Sequence, residues 1–253
     1  MTRSVQGQPC WYELTTPDPM ASGAFYGALL GWEVTEVPMG AQSYFLNKCG
    51  DKNVSGMMTP DDAEIPPNWC FYIATENADD TAAAVVADGG GQVVAPMDVP
   101  GTGRFAILSD PQGAVFGILQ PLPGDTGDAY APEVTGHGAW HELMTSDPQG
   151  AVAFYRKHFG WGLGDAMDIG AMGTYQLFAA GAGDAGGIMG QPQPDMPPFW
   201  GVYFRVDSID AAQAAIPGLG GRIVNGPMEV PGGAWVLQGI DPQGAYFALT
   251  GKK

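Results

Sequence analysis

Apolar and polar residues alternate in short runs along this chain, and each run leads into turn residues or a helical pattern. Cys10 to Thr15 (Cys-Trp-Tyr-Glu-Leu-Thr) reads as a strand. Asp18 and Pro19 follow it. Aspartate suits a helix N-cap, and proline at the first helical position sacrifices only an N–H that has no intrahelical partner. Phe25 and Leu29 then fall on one face at helical spacing, and Gly31 is placed to end the helix in a left-handed conformation. Strands are predicted around Ser43 to Leu46 and Val54 to Met58. The pattern then restarts with a strand over Trp69 to Thr75 and an alanine-rich helix over Asn77 to Asp88. Further strands end at Asp110-Pro111-Gln112-Gly113, whose residues suit a type I turn, and Ala114 to Leu119 is the last strand. This half therefore reads β-α-β-β-β twice.

The second half repeats the first. Trp11-Tyr12-Glu13-Leu14, Asp18-Pro19, Phe25-Tyr26 and Gly31-Trp32 return as Trp140-His141-Glu142-Leu143, Asp147-Pro148, Phe154-Tyr155 and Gly160-Trp161, at a constant offset of 129. Tyr44, Trp69, Met97 and the Asp110 turn return as Tyr175, Trp200, Met228 and the Asp241 turn, at an offset of 131. Ala139 to Met144 is the matching first strand, and Ala151, Phe154 and His158 share one face of the matching helix. Strands over Thr174 to Phe178, Gly186 to Met189, Trp200 to Val206 and Ala245 to Thr250 follow, with a helix over Ser208 to Ile216. Pro121 to Val134 has no periodicity and is rich in Pro, Gly and Asp, as a linker is. The expected layout is a first domain over 8–121, a linker over 122–135 and a second domain over 136–251. Each domain has about 115 residues, enough to bury its own core.

Composition narrows the partners. A formal net charge of −17 over 253 residues argues against nucleic acid and against anionic membrane surfaces, both of which select basic faces. No apolar run is long enough to span a bilayer, and Met1 to Pro9 is polar, so neither a membrane segment nor a signal peptide is expected. Cys10, Cys49 and Cys70 are odd in number and have no twins in the other half, which fits free thiols and a cytoplasmic location.

The strand followed by Asp-Pro, Phe-Tyr and Leu-Gly-Trp or Phe-Gly-Trp, with a terminal Asp-Pro-Gln-Gly before an apolar strand, resembles the vicinal oxygen chelate superfamily. That group includes glyoxalases, bleomycin-resistance proteins and extradiol dioxygenases. The chain looks most like tandem, glyoxalase-like bacterial proteins often labelled hydroxylases. The resemblance implies an α+β fold: two tandem glyoxalase-like domains, each of two βαβββ units whose curved mixed sheets form a cup. It also implies where a metal would sit. The family's first ligand position falls on Trp11 and Trp140, another on Cys70 and Gly201, and the last on Gly117 and Ala248. The remaining one falls near Met57 and Ile188. Of these only Cys70 is a metal-binding type, and His137, His141 and His158 are not placed to replace the others. The expectation is no metal and no cofactor.

Alternation puts Glu13 on the same strand face as Trp11, Glu142 with Trp140, and Tyr72 and Tyr203 with Cys70 and Gly201. Trp11, Trp140, Tyr72, Tyr203, Arg104 and Cys70 are the candidate ligand-binding residues, and Glu13 and Glu142 the candidate acid–base residues. An inward carboxylate must be solvated, paired or protonated. One such pairing is a hydrogen bond to a Tyr or Trp across the cup. Arg104, Cys70 and Gln42 break the symmetry, facing Trp235, Gly201 and Gly173. Arg104 could hold an anionic group or lie solvated at a strand edge. Three readings follow: metal-independent binding of a hydrophobic or aromatic small molecule, a metal-free isomerase, lyase or cyclase using Glu13 or Glu142, and a metal-dependent glyoxalase or dioxygenase with ligands from elsewhere. The chain is expected to act as a monomer or homodimer.

Overall fold

The computed structural model describes residues 6–39, 42–123, 127–181 and 183–253, with the side chains of Gln42 and Ala171 outside the description. Residues 1–5 of the polar N-terminal stretch and 124–126 of the expected linker therefore lie outside the described residues.

The first repeat runs β1 (Pro9–Thr15), α1 (Pro19–Leu30), β2 (Glu33–Met39), β3 (Gln42–Cys49), β4 (Lys52–Met58), β5 (Asn68–Ala74), α2 (Ala78–Ala87), β6 (Gly91–Val99), β7 (Gly103–Ser109) and β8 (Val115–Pro121). The second runs β9 (Gly138–Thr145), α3 (Pro148–Phe159), β10 (Gly162–Asp168), β11 (Thr174–Ala179), β12 (Asp184–Gly190), β13 (Phe199–Ser208), α4 (Ile209–Ala215), β14 (Arg222–Glu229), β15 (Trp235–Ile240) and β16 (Tyr246–Lys252). Each repeat is thus two successive βαβββ units. The strands order as β2-β3-β4-β1-β5-β8-β7-β6 and β10-β11-β12-β9-β13-β16-β15-β14. Both sheets are mixed: β1–β4, β5–β8, β9–β12 and β13–β16 pair in parallel, and the hairpins antiparallel. The expected α+β fold of two tandem domains is the one observed.

The helix boundaries have local causes. Asp18 and Asp147 each accept a hydrogen bond from the backbone N–H three residues on, at 3.0 Å, and Pro19 and Pro148 open the helices. Gly31 and Gly160 close them at φ 73° and 69°, a conformation that a Cβ opposes. The buried face of α1 differs from the expected one. Phe25, Tyr26 and Leu30 are buried and Leu29 is only half-buried. In α3 the buried set is Ala151, Phe154, Tyr155 and Phe159, and the His158 side chain lies on the expected face, its ring centroid 4.6 Å from that of Phe154, while it also pairs with Asp88 at 3.0 Å.

Tyrosine explains this rotation. By packing, the chain forms two compact units that each draw on both repeats. One comprises the described residues of Met1–Cys10, Phe71–Gly127 and His141–Trp200, the other those of Trp11–Cys70, Asp128–Trp140 and Gly201–Lys253. Within the latter, Tyr26 donates to Asp241 Oδ2 at 2.9 Å and accepts from Trp69 Nε1 at 2.9 Å. Asp241 Oδ1 takes the backbone N–H groups of Gln243 and Ala245, each at 2.9 Å. Within the former, Tyr155 donates to Asp110 at 3.2 Å and accepts from Trp200 at 2.9 Å, and Asp110 takes Gln112 and Ala114. The helix of one repeat is thereby tied to the Asp-Pro-Gln-Gly turn of the other. Burial, then the nearby Asp241 carboxylate, push the Tyr26 phenol well above its ordinary pKa. Trp32 and Trp161 add a second pair of ties, donating to the carbonyls of Gly136 and Gly7 at 2.6 and 2.7 Å.

Replacing Tyr26 with Phe leaves a buried indole N–H and a buried carboxylate oxygen each short of one partner. The expected cost is about 1–3 kcal/mol, read as a lower urea midpoint. Tyr155→Phe should cost a similar amount, and a change below about 0.5 kcal/mol in both would contradict the role given to these hydroxyls.

Candidate functional site

On β1 the two faces differ sharply. Tyr12 and Leu14 are fully buried, while Trp11, Glu13 and Thr15 are half-buried on the other face. Trp11 and Glu13 are joined there by a residue the candidate set did not include. Tyr44, on β3, accepts from Trp11 Nε1 at 3.1 Å and donates to Glu13 Oε2 at 2.9 Å. Burial and the Glu13 carboxylate push the Tyr44 phenol well above its ordinary pKa, so it stays a hydrogen-bond donor. Register makes the contact possible. Gly56 on β4 is the Cα partner of Glu13 on one side and of Leu46 on the other. It has no side chain, and the Tyr44 phenol lies across it: a Cβ at Gly56 would stand 1.9 Å from the Tyr44 hydroxyl.

The second repeat uses the same device. Gly187 is the Cα partner of Glu142, and a Cβ there would stand 2.0 Å from the Tyr175 ring. Glu142 is buried at 8 % exposure and Trp140 half-buried. The constant offset of 131 that links Tyr44 to Tyr175 also links Gly56 to Gly187. That shared offset was the available signal for these four residues; the strand register that gives it meaning was not readable.

Two further candidates lie on the second βαβββ units. Tyr72 on β5 is the Cα partner of Gly117 on β8, and its ring covers that glycine, 2.4 Å from where a Cβ would be. Tyr203 on β13 faces Ala248, and its hydroxyl accepts from Gln238 Nε2 at 2.6 Å. Cys70 is half-buried, two residues before Tyr72 on the same strand.

Arg104 is placed elsewhere. Its Nε and Nη2 donate to Asp79 at 2.8 and 2.9 Å, and Nη1 donates to Asp98 at 2.9 Å. Asp79 belongs to α2, so the guanidinium lies on the helix side of β7, opposite Phe105, whose ring centroid is 6.3 Å from that of Tyr72.

The positions that the resemblance assigns to metal ligands do not form a donor set. Trp11 gives its N–H to Tyr44, and Gly117 has an aromatic ring in place of a side chain. Among the described residues no three His, Cys, Asp or Glu side chains gather as a metal site. His141 is fully buried with its Nδ1 2.8 Å from the Ala185 carbonyl and its ring beside Phe71, His137 Nδ1 lies 2.7 Å from the Asp128 carbonyl, and His158 pairs with Asp88. The donor chemistry of these faces does not fit a divalent metal. Among the described residues no helix is long and apolar enough to cross a membrane.

The model of the Glyoxalase/Bleomycin resistance protein/Dioxygenase superfamily matches the chain twice, over residues 10–118 and 136–249. The protein CFP32 of Mycobacterium tuberculosis (strain CDC 1551 / Oshkosh), whose name provisionally assigns it as a glyoxylase, is 36 % identical over 96 % of this chain and 94 % of its own. The anthracycline biosynthesis protein DauV of Streptomyces sp. (strain C5) is 32 % identical over 99 % and 95 %. Among solved structures, the Mn(II)-bound glyoxalase from Novosphingobium aromaticivorans superposes with a TM-score of 0.66 at 19 % identity, covering all of this chain and 83 % of its own. The 2,3-dioxygenase LapB from Pseudomonas sp. KL28 superposes with a TM-score of 0.69 at 13 % identity over 98 % and 93 %. These two likenesses establish the fold.

Two measurements check this geometry. Gly56→Ala must displace the Tyr44 ring and break its bridge, at an expected cost of about 1–3 kcal/mol; wild-type stability with an unchanged tryptophan emission would contradict the placement. Burial holds the His141 imidazole at a pKa of about 4, below the ordinary 6.5. The unfolded chain therefore binds the proton first as pH falls below 6.5, and stability declines until about pH 4, by roughly 3 kcal/mol in all. In His141→Asn this part of the pH dependence should vanish from urea-unfolding curves; an equally steep decline in the variant would assign it to other groups.

Proposed function

The chain belongs to the Glyoxalase/Bleomycin resistance protein/Dioxygenase superfamily, and from that premise we propose that it binds a hydrophobic or aromatic small molecule without the help of a metal. One observation carries this reading. On three of the four βαβββ units an aromatic ring is laid over a glycine on the inward face: Tyr44 over Gly56, Tyr72 over Gly117 and Tyr175 over Gly187. Rings thus occupy faces where a metal-using relative needs imidazole and carboxylate donors. Beside them stand few polar groups, chiefly Glu13 and Glu142. Apolar and aromatic walls with a few oriented polar groups are the composition of a small-molecule site. The relative named for anthracycline biosynthesis is consistent with a fused-ring ligand, as is the general chemistry of ring–ring contact.

The Tyr44–Glu13 hydrogen bond supports a second reading. A carboxylate oriented by a phenol can move a proton on a bound ligand, which would make the protein a metal-free isomerase, lyase or cyclase.

Titration with 1,4-dihydroxyanthraquinone, a flat neutral probe, should quench tryptophan emission saturably, with a Kd on the order of micromolar. Quenching that stays linear to the solubility limit would refute the binding reading for fused-ring aromatics. Conversion of the probe that stops in Glu13→Gln, with affinity kept, would establish the second reading; a bound and unchanged probe favours the first.

A further inference from the structure

The second βαβββ unit of each repeat has one backbone register and two chemistries. In the first repeat, Phe105 is the Cα partner of Met97 on one side and of Leu119 on the other, and Ile107 is the partner of Gly117, itself the partner of Tyr72. Directly paired residues share a sheet face. In the second repeat the same rows read Met228, Val236, Thr250 and Gln238, Ala248, Tyr203. Each residue stands 131 positions after its twin. Four of the six pairs differ: Phe105 with Val236, Leu119 with Thr250, Ile107 with Gln238, and Gly117 with Ala248.

These exchanges change what each face can hold. In the first repeat none of the six side chains is charged or an amide. Tyr72 is buried over Gly117, with Phe105 half-buried beside it at 6.3 Å between ring centroids and an interplanar angle of 56°. Ile107 and Leu119 are half-buried, and Met97 is 50 % exposed at the end of the row. The face therefore presents partly open apolar surface on an aromatic floor, with an adaptable thioether at its edge. In the second repeat a chain of hydrogen bonds crosses the same place. Asn225 Nδ2 donates to Gln238 Oε1 at 3.0 Å, and Gln238 Nε2 donates to the Tyr203 hydroxyl at 2.6 Å. An apolar ring laid there would cover an amide without replacing its water, or would break this chain.

We propose that the β5–β8 face of the first repeat is the subsite for the flat apolar part of the ligand, stacked over Tyr72, Phe105 and Ile107, and that the β13–β16 face of the second repeat is not. This rests on the reading that the protein binds an aromatic small molecule. The ligand class is a neutral fused-ring aromatic: the face has no cation to hold an anion, and a net charge of −17 repels one.

The test is the affinity of 1,4-dihydroxyanthraquinone for the wild type, Ile107→Gln, Phe105→Ala and Gln238→Ile, with a urea midpoint recorded for each. Ile107→Gln installs the residue of the second repeat and should weaken binding about tenfold or more, as should Phe105→Ala, while Gln238→Ile should stay within about twofold. Phe105→Ala decides if Ile107→Gln does not fold. A wild type that binds, with Ile107→Gln and Phe105→Ala equal to it, overturns this subsite and leaves the binding function standing. So does a loss confined to Gln238→Ile. A wild type that shows no saturable binding overturns both.

Discussion

The rest of the structure depends on a buried hydrogen-bonded relay, made twice: a tryptophan N–H to a tyrosine oxygen, and that tyrosine's O–H to an aspartate. Trp69, Tyr26 and Asp241 form one, Trp200, Tyr155 and Asp110 the other. Each aspartate also accepts two backbone N–H groups from its own turn, so no member is left unsatisfied at the polar atoms described. Buried polar groups are costly when unpaired and specific when paired. This is why the motifs Phe-Tyr and Asp-Pro-Gln-Gly recur together. The two halves of each relay come from different repeats, the tyrosine from one and the aspartate from the other.

On β1 the face of Tyr12 and Leu14 is buried, and Trp11 and Glu13 stand half-buried on the other. Three glycines serve as beds for tyrosine rings, and one of these tyrosines bridges an indole and a carboxylate. Polar contacts on these faces orient aromatic groups, and among the described residues no three His, Cys, Asp or Glu side chains gather as a metal site. Family membership therefore carries the fold to this chain more securely than it carries any one reaction.

Much of this was legible in the sequence because it is local. Asp18-Pro19 and Gly31 bound a helix by rules acting within a turn, and the β-α-β-β-β order follows from periodicity. The offsets of 129 and 131 exposed the duplication. What escaped was non-local. Leu29 has the right spacing to face the core with Phe25, yet Tyr26 and Leu30 are buried, because the partner of Tyr26 lies 215 residues away. Glu13 was expected to be solvated, paired or protonated, but naming Tyr44 as its partner needed the register of β1, β4 and β3. Arg104 offered a charge and no indication of its face; the acids on α2 and β6 that hold it are visible only in three dimensions.

On the function proposed above, the inward faces recognise their ligand through rings and hydrogen bonds instead of a metal ion. That reading is tested most directly by elemental analysis of untagged protein, with the binding of 1,4-dihydroxyanthraquinone measured before and after exhaustive chelation. The expected result is less than about one-tenth of an equivalent of any divalent transition metal, and the same affinity on both sides of the treatment. About one equivalent of zinc, nickel, manganese or iron, with binding lost on chelation and restored by that metal, would contradict it.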